Sequence, residues 1–305
     1  MYFIRLFASG LKKSQWLLLI LTGDNKKDYF CRRPPNRFTI YNRKLDNLQL
    51  INTDLLAAYL EQISGLQSHF DALKDAEIST DSFSFYTSVA SVFSSKIEGE
   101  TIELDSYIKH KAMGMEFQPD YMKKVDDLYS AYRFAQENDL NAENLSKAHE
   151  LLSKNLVEKS MQGKLRTHNM FVATEEGKIE YVAVSPYELK NEMNKWYHDL
   201  ALLLKAKMTC EEVFFFASYL HLTFVKIHPW NDGNGRSARL IEKWFIAQHL
   251  GEKAWFLQSE KNYYKNHALY YSNLRKLGLE YVELDYNKSL PFLTMLPKTL
   301  LYPLN

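Results

Sequence analysis

Apolar residues in this chain mostly recur every three or four positions, a spacing typical of helices that bury one face. A first helix is predicted after Thr53, which we interpret as its N-cap. Its apolar face comprises Leu56, Leu60, Ile63, Phe70 and Leu73. A second helix is predicted from about Asp81 to Glu98, with Gly99 as its C-terminal stop. Its apolar stripe comprises Tyr86, Val89, Phe93 and Ile97.

The helical spacing continues along most of the remaining chain. Helices are predicted around 121–136 and 142–158, from Leu189 to Leu203, from about Cys210 to Lys226, after a loop at 228–232, and at roughly 260–277. Between about 163 and 186 the period changes to that of strands. There, residues 171–173 and 179–184 are predicted as two short strands around a turn at 175–177. The pattern therefore predicts one mainly α domain that carries a small β-hairpin.

Charge, the apolar segments and the cysteine count bear on the partners and the compartment of the protein. The 305 residues carry a net charge of +1, which gives no general electrostatic attraction to nucleic acid or to an anionic membrane. The apolar run from Trp16 to Leu21 is too short to span a bilayer, and we interpret it as a buried strand or arm rather than an export signal. Cys31 and Cys210 cannot form a disulfide framework, so we expect a cytoplasmic protein. Residues 1–37 are predicted to form an extended N-terminal arm.

The segment at residues 228–239 carries the candidate chemistry: His-Pro-Trp-Asn-Asp-Gly-Asn-Gly-Arg-Ser-Ala-Arg. Its Gly-Asn-Gly stretch can turn backbone N–H groups outward at the start of a helix, which makes an anion site. Arg236 and Arg239 share one helix face behind that site, and their guanidinium groups suit a polyphosphate. Asp232 is a suitable ligand for Mg²⁺, and His228 could accept a proton from a hydroxyl.

Plainer interpretations of the same residues remain open on this evidence alone. A loop rich in Gly and Asn is usually only a turn between helices. His228 and Asp232 could be two zinc ligands, although no third ligand has a suggestive spacing. The two arginines could also lie on a solvated face, and His221 is more simply explained as a core histidine.

The segment resembles the signature of the Fic family, His-Pro-Phe-x-Asp/Glu-Gly-Asn-Gly-Arg-x-x-Arg, with Trp230 where phenylalanine is usual. The resemblance extends at lower specificity from about residue 38 to residue 305, including Gly163-Lys-Leu-Arg166. It implies a Fic-like helical bundle, 38–305, with the hairpin at about 170–184 as the family's flap, which aligns a target side chain. The signature loop and helix would occupy 228–248.

The resemblance also implies a role for each residue of the signature. The enzyme would be a nucleotidyltransferase that moves AMP from ATP to a Tyr, Thr or Ser hydroxyl of a target protein, with Mg²⁺ as cofactor. His228 would be the base and Asp232 the metal ligand. The nucleotide would be held by Gly233, Asn234, Gly235, Arg236 and Arg239.

A second motif fits the family's inhibitory pattern, Ser/Thr-x-x-x-Glu-Gly/Asn. It comprises Ser94, Glu98 and Gly99 at the end of the helix predicted at about 81–98. An ordinary glycine cap would explain Gly99 equally, but a carboxylate at a helix C-terminus is unfavourable without a partner. The resemblance implies that Glu98 pairs with Arg239 and occupies the γ-phosphate position.

Three classes of function compete. The leading expectation is an autoinhibited adenylyltransferase, with self-modification and self-association as possible accompaniments. The same site could instead remove AMP or transfer another moiety, such as UMP or phosphate, although Gly235 argues against the phosphotransferase branch, which carries lysine there. A catalytically silent interaction module is the third. A P-loop NTPase is disfavoured because no Gly-x4-Gly-Lys-Ser/Thr sequence occurs.

Overall fold

The computed structural model describes residue 45 and residues 47–80, 83–115, 119–173 and 179–302. The expected N-terminal arm at 1–37 and the hairpin turn at 175–177 lie outside these residues, as do 81 and 82 at the expected start of the second helix. In the part of the chain that is described, no helix is both long and apolar enough to cross a bilayer.

Helices dominate the described residues. In chain order they are α1 (Leu56–Gln62), α2 (Leu66–Asp71), α3 (Phe85–Ile97), α4 (Leu104–Met113), α5 (Pro119–Glu137), α6 (Ala142–Leu152), α7 (Pro186–Lys205), α8 (Cys210–Ile227), α9 (Asn234–Leu250), α10 (Ser259–Lys265), α11 (His267–Arg275), α12 (Leu290–Leu293) and α13 (Met295–Leu301). Short 3₁₀ helices lie at Glu252–Phe256, Tyr281–Glu283 and Tyr286–Lys288.

Helix α8 forms the centre of the molecule. It begins at a capping box, in which Thr209 and Glu212 satisfy each other's free backbone N–H groups. Every residue from Cys210 to Ile227 except Glu211 and Glu212 is buried, as expected for a helix that is apolar around its whole circumference. Helix α9 packs along α8 more extensively than any other described pair of helices, and α3 packs against α9 from the N-terminal half of the chain. The loop between α8 and α9 is thereby held at the core.

The strands are β1 (Phe171–Ala173) and β2 (Ile179–Val182), and they pair antiparallel. Phe171 lies opposite Val182, and Val172 lies opposite Tyr181. The N–H of Val182 also donates to the carbonyl oxygen of Leu279 at 2.8 Å. This hairpin is the only sheet among the described residues, so the prediction of a mainly α fold with one small hairpin is confirmed.

Several predicted helices are wrong in extent. The first is broken at Gly65, whose φ of 73° belongs to a left-handed turn, and its N-cap is Leu55 rather than Thr53. The helix predicted at 260–277 is divided at Asn266. The helix predicted at 142–158 ends at Leu152. Local hydrophobic spacing continues through each break, so the pattern does not reveal it.

Candidate active site

Helix α3 ends in a turn with a carboxylate on each side of a glycine. Glu98 is the C-cap, and Gly99 follows with φ of 91°, a conformation that favours glycine. The N–H of Gly99 donates to the carbonyl of Lys96, and the N–H of Glu100 donates to that of Ser95. These two bonds form a Schellman motif, which accounts for glycine at this position.

Arg239 on α9 is fully buried and holds the end of α3. Its Nε donates to Ser94 Oγ at 2.8 Å, and its Nη2 donates to the carbonyl oxygen of Ser94 at 3.0 Å. Nη2 also donates to Glu98 Oε1 at 2.6 Å. The Arg239 side chain is 0% exposed and that of Glu98 is 26% exposed. The contact is therefore a charge-assisted hydrogen bond largely withdrawn from water.

The surroundings of this ion pair favour its charged form. Burial alone would raise the pKa of the Glu98 carboxyl, but Arg239, Arg236 and His228 together hold that pKa below its ordinary value. Burial alone would lower the pKa of the Arg239 guanidinium, but the adjacent Glu98 raises it overall. Glu98 is thus ionised at neutral pH, and Arg239 has a fixed negative partner.

Gly235 lies directly beneath the Glu98 carboxylate. A Cβ added at Gly235 would collide with Glu98 Oε1 and would lie 3.1 Å from Arg239 Nη1. Gly235 belongs to the first turn of α9 and has no left-handed backbone. Glycine is therefore needed here for the close approach of an anion to the helix, rather than for a turn.

Arg236 faces the second carboxylate of the turn after α3. Its Nη2 lies 3.5 Å from Glu100 Oε1, which also accepts a hydrogen bond of 2.8 Å from Lys124 Nζ. The Nε of Arg236 is buried and makes no hydrogen bond within the described residues. A buried guanidinium N–H without a partner suits an anionic ligand.

The loop between α8 and α9 is held in shape by its own side chains. Asn234 Oδ1 accepts from the N–H of Trp230 at 2.8 Å, and Asn234 Nδ2 donates to the Trp230 carbonyl oxygen at 2.9 Å. Gly233 is the N-cap of α9 with φ of 78°. Asn234 therefore closes the loop, and its side-chain amide is occupied by the backbone.

His149 on α6 supports this loop from below. Its ring stacks on Trp230 with the ring centroids 4.4 Å apart. Nδ1 accepts from the N–H of Gly163 at 2.9 Å, so Nε2 carries the proton that is donated to the Asp232 carbonyl oxygen, also at 2.9 Å. Burial lowers the pKa of His149 to about 4, so the ring stays neutral and structural.

His228 is the C-cap of α8 and adopts a left-handed backbone with φ of 54°, the only non-glycine residue to do so among those described. Burial lowers the pKa of its imidazole to about 4, and the cation of Arg166 acts in the same direction. A neutral imidazole at physiological pH can accept a proton, as a general base must.

Arg166 ties the loop to both ends of the hairpin. It donates to the carbonyl oxygens of His228 at 2.7 Å and His168 at 2.6 Å, and to that of Val184 at 2.5 Å. A longer bond of 3.3 Å reaches Ile227. His168 precedes β1 and Val184 follows β2, so one buried guanidinium fixes the hairpin against the loop between α8 and α9.

Asp232 is the exposed residue of the loop. Its Oδ1 accepts from the N–H of Gly233 at 2.5 Å, and with Asn231 it lines an open cleft that also includes Glu158 and His168. Within the described ranges, no group of three or more His, Cys, Asp or Glu side chains could hold a metal by itself. One exposed carboxylate fits Mg²⁺ in the common arrangement where substrate phosphates supply further ligands.

The expected site residues thus come from two distant parts of the chain. Ser94 and Glu98 contact Arg239, while Gly235 and Arg236 lie beside the same turn. Four further residues of the site were given no role by sequence reasoning: His149, Arg166, Tyr181 and Glu100. Arg166 and Tyr181 lay within segments that the resemblance singled out, Arg166 in residues 163–166 and Tyr181 in the hairpin at about 170–184.

Comparisons with known proteins bear on the family and on the fold. Residues 139–246 match the family model described as Fic/DOC family. A Fic family protein from Desulfovibrio desulfuricans G20 superimposes with a TM-score of 0.59 at 20% identity, over 88% of this chain and 74% of that chain. A Fic domain containing signaling protein from Bacteroides thetaiotaomicron VPI-5482 gives 0.57 at 17% identity, over 87% and 92%.

A fragment of Fic-1 from C. elegans gives a TM-score of 0.57 at 19% identity, over 81% of this chain and 71% of that chain. No curated protein matches the sequence. At these identities the structural neighbours establish the fold, and the expected Fic-like helical fold is confirmed. The match to the Fic/DOC family model at residues 139–246 includes the loop between α8 and α9, the hairpin and most of α9.

Proposed function

We propose that this protein is an autoinhibited adenylyltransferase, which transfers AMP from ATP to a Tyr, Thr or Ser hydroxyl of a target protein. Members of the Fic domain family commonly transfer AMP or other groups onto proteins. The observation that carries the proposal is the 2.6 Å ion pair between Glu98 and Arg239, formed above Gly235 at the start of α9.

The nucleotide would bind where the helix start and the two arginines converge. The N-terminus of α9 favours negative charge, and Gly235 permits close approach of a phosphate to the backbone. The buried Nε–H of Arg236 has no partner among the described residues, which supports its use on a phosphate. Asp232 would hold Mg²⁺, which neutralises charge on the α- and β-phosphates when it is bound.

The reaction requires one proton acceptor and no covalent intermediate. The target hydroxyl oxygen attacks the α-phosphorus of ATP, and the bond from this phosphorus to the bridging oxygen of the β-phosphate breaks. Pyrophosphate leaves, and AMP remains on the target. Nε2 of the neutral His228 takes the hydroxyl proton. Positioning and charge neutralisation supply most of the acceleration, as in other phosphoryl transfers.

Glu98 would inhibit this reaction by competing for Arg239. The guanidinium can bind either the Glu98 carboxylate or the γ-phosphate of ATP with its Nη2. While Glu98 is bound, the γ-phosphate has no anchor, and the α-phosphorus is not aligned with the attacking hydroxyl. Removing the carboxylate should therefore increase transfer.

The test is incorporation of label from ATP labelled at the α-phosphorus, followed by mass spectrometry of the modified protein. We expect little self-modification by the parent and strong labelling by Glu98→Gly. Glu103→Gly is a matched control, because it removes a 3.0 Å ion pair with Lys96 that does not involve the arginines. Glu98→Gly combined with His228→Ala should incorporate no label.

Each alternative function gives a different result in this assay or in a parallel one. Equal labelling of the parent and Glu98→Gly would contradict autoinhibition. In a parallel assay with ATP labelled at the γ-phosphorus, incorporation of that label would indicate phosphotransfer. Release of AMP from protein that has already been modified would indicate removal of AMP. Absence of any nucleotide chemistry in all variants would leave the interaction module.

A further inference from the structure

Tyr181 on strand β2 is in direct contact with His228. Its hydroxyl oxygen lies 3.0 Å from His228 Nδ1 and 2.9 Å from the carbonyl oxygen of Val225. The two rings meet edge to face, with centroids 5.9 Å apart and an interplanar angle of 69°. Tyr181 is 3% exposed, so solvent does not compete for these bonds.

The direction of these hydrogen bonds follows from the number of protons available. The Val225 carbonyl can only accept, so the single hydroxyl proton of Tyr181 is donated to it. The Tyr181 oxygen must then accept from His228, which requires the proton on Nδ1. Nδ1 also lies 3.2 Å from the same carbonyl oxygen, which is a second acceptor for that proton. Nε2 is left with its lone pair, the form that a general base needs.

The Tyr181 ring is itself fixed on both the hairpin and the core. Tyr181 pairs with Val172 across the hairpin, and the ammonium of Lys226 lies 4.3 Å from the centroid of the Tyr181 ring. Arg166 binds both ends of the hairpin and the carbonyl of His228. The phenol therefore meets the imidazole in one orientation, set by the surrounding chain.

We propose that Tyr181 is a positioning residue for His228. It holds the ring in the tautomer protonated at Nδ1 and stabilises the imidazolium that forms when Nε2 takes the target's proton. The role of His228 as a base rests on the proposed function, whereas the contact with Tyr181 does not. Since Tyr181 belongs to the hairpin, the element that would dock the target also orients the base.

The first experiment reads the imidazole directly and does not depend on activity. Protein labelled with ¹⁵N at histidine is compared by long-range ¹H–¹⁵N correlation at neutral pH, and the His228 signals are assigned by their loss in His228→Ala. We expect the parent to show a protonated Nδ1 and a bare Nε2, and Tyr181→Phe to shift both signals. Tyr107→Phe is the matched control. Tyr107 belongs to a hydrophobic cluster separate from the main core, and the substitution removes its hydroxyl, which donates to Asp126.

The second experiment measures kinetics in the Glu98→Gly protein. Tyr181→Phe is expected to lower kcat about tenfold while KM for ATP stays unchanged, because Val225 retains part of the imidazole's support. A merely structural role would instead raise KM for the target and leave kcat alone. Tyr107→Phe should alter neither constant.

The outcomes separate this inference from the proposed function. If Tyr181→Phe leaves the His228 signals at the parent positions, the inference is wrong, whatever the activity. If the signals shift and kcat falls, it is supported. If the signals shift but the Glu98→Gly protein transfers no AMP, the positioning of the imidazole is supported and the proposed function fails.

Discussion

Replacing Gly235 with alanine adds one methyl group at the point where the Glu98 carboxylate crosses the first turn of α9. The added carbon would overlap Glu98 Oε1, so the carboxylate must move away from Arg239. The backbone at Gly235 is not left-handed, so the substitution itself causes no backbone strain. The same methyl group is therefore unfavourable while Glu98 is present. Once Glu98 is removed, only the 3.1 Å approach to Arg239 Nη1 remains, which a shift of the end of that side chain by a few tenths of an ångström relieves.

The loss of the hydrogen bond to Glu98 is larger than the gain from alanine, so the net change in stability reverses sign once Glu98 is removed. A hydrogen bond to a charged group contributes about 1.5–3 kcal/mol to stability. Gly→Ala at a compatible position stabilises by about 0.4–1 kcal/mol, because the unfolded chain loses freedom. We expect Gly235→Ala to lower the free energy of unfolding of the parent by about 1–2 kcal/mol and to raise that of Glu98→Gly by about 0.4–1 kcal/mol.

The assay is a double-mutant cycle by urea unfolding at neutral pH, comparing the parent, the two single variants and the double variant. Glu103→Gly replaces Glu98→Gly in a control cycle, where the effect of Gly235→Ala should match that in the parent. An effect of the same sign and size in the Glu98 and control cycles would refute the close approach of the carboxylate to Gly235.

The remaining predictions concern catalysis by the Glu98→Gly protein. His228→Ala should reduce AMP transfer at least about 100-fold, because the base is lost, while ATP affinity measured by calorimetry changes little. Transfer within tenfold of the Glu98→Gly protein would exclude His228 as the base. Asp232→Asn should raise the Mg²⁺ concentration needed for half-maximal transfer, and full activity of the Glu98→Gly protein in EDTA would show that no metal is needed. Burial lowers the pKa of His228 to about 4, so the imidazole stays neutral well below pH 7. Initial rates of transfer should therefore stay level from about pH 8 to about pH 5 before falling. A rate that halves near pH 6.5 would contradict the lowered pKa of His228.

The ends of helices that carry clear local signals could be predicted from the sequence. The glycine stop of α3 at Gly99 and the turn before α9 at Gly233 can be predicted, because a few adjacent residues determine each. The breaks at Gly65 and Asn266 were not predicted, because the apolar spacing continues through both of them.

The supporting residues of the site were harder to predict for a different reason. Arg166 and His228 lie 62 positions apart, and Tyr181 and His228 lie 47 apart. No local periodicity relates such residues, and their contact depends on how the hairpin is laid against α8. The signature named the groups expected to touch the nucleotide, while the groups that orient them required the fold.

Arg166 attaches the hairpin on its inner side, so substitutions on the inner and outer sides of the hairpin differ in how much buried structure they disturb. A substitution at Arg166 would remove the hydrogen bonds that hold the loop and both ends of the hairpin, so it would disturb all three together. Phe171 and Ile179 are 58% and 43% exposed, so their replacement disturbs far less buried structure. Substitutions on the outer face of the hairpin therefore leave the loop between α8 and α9 in place, and under the proposed function the surface that docks the target could change without altering the site of the chemistry.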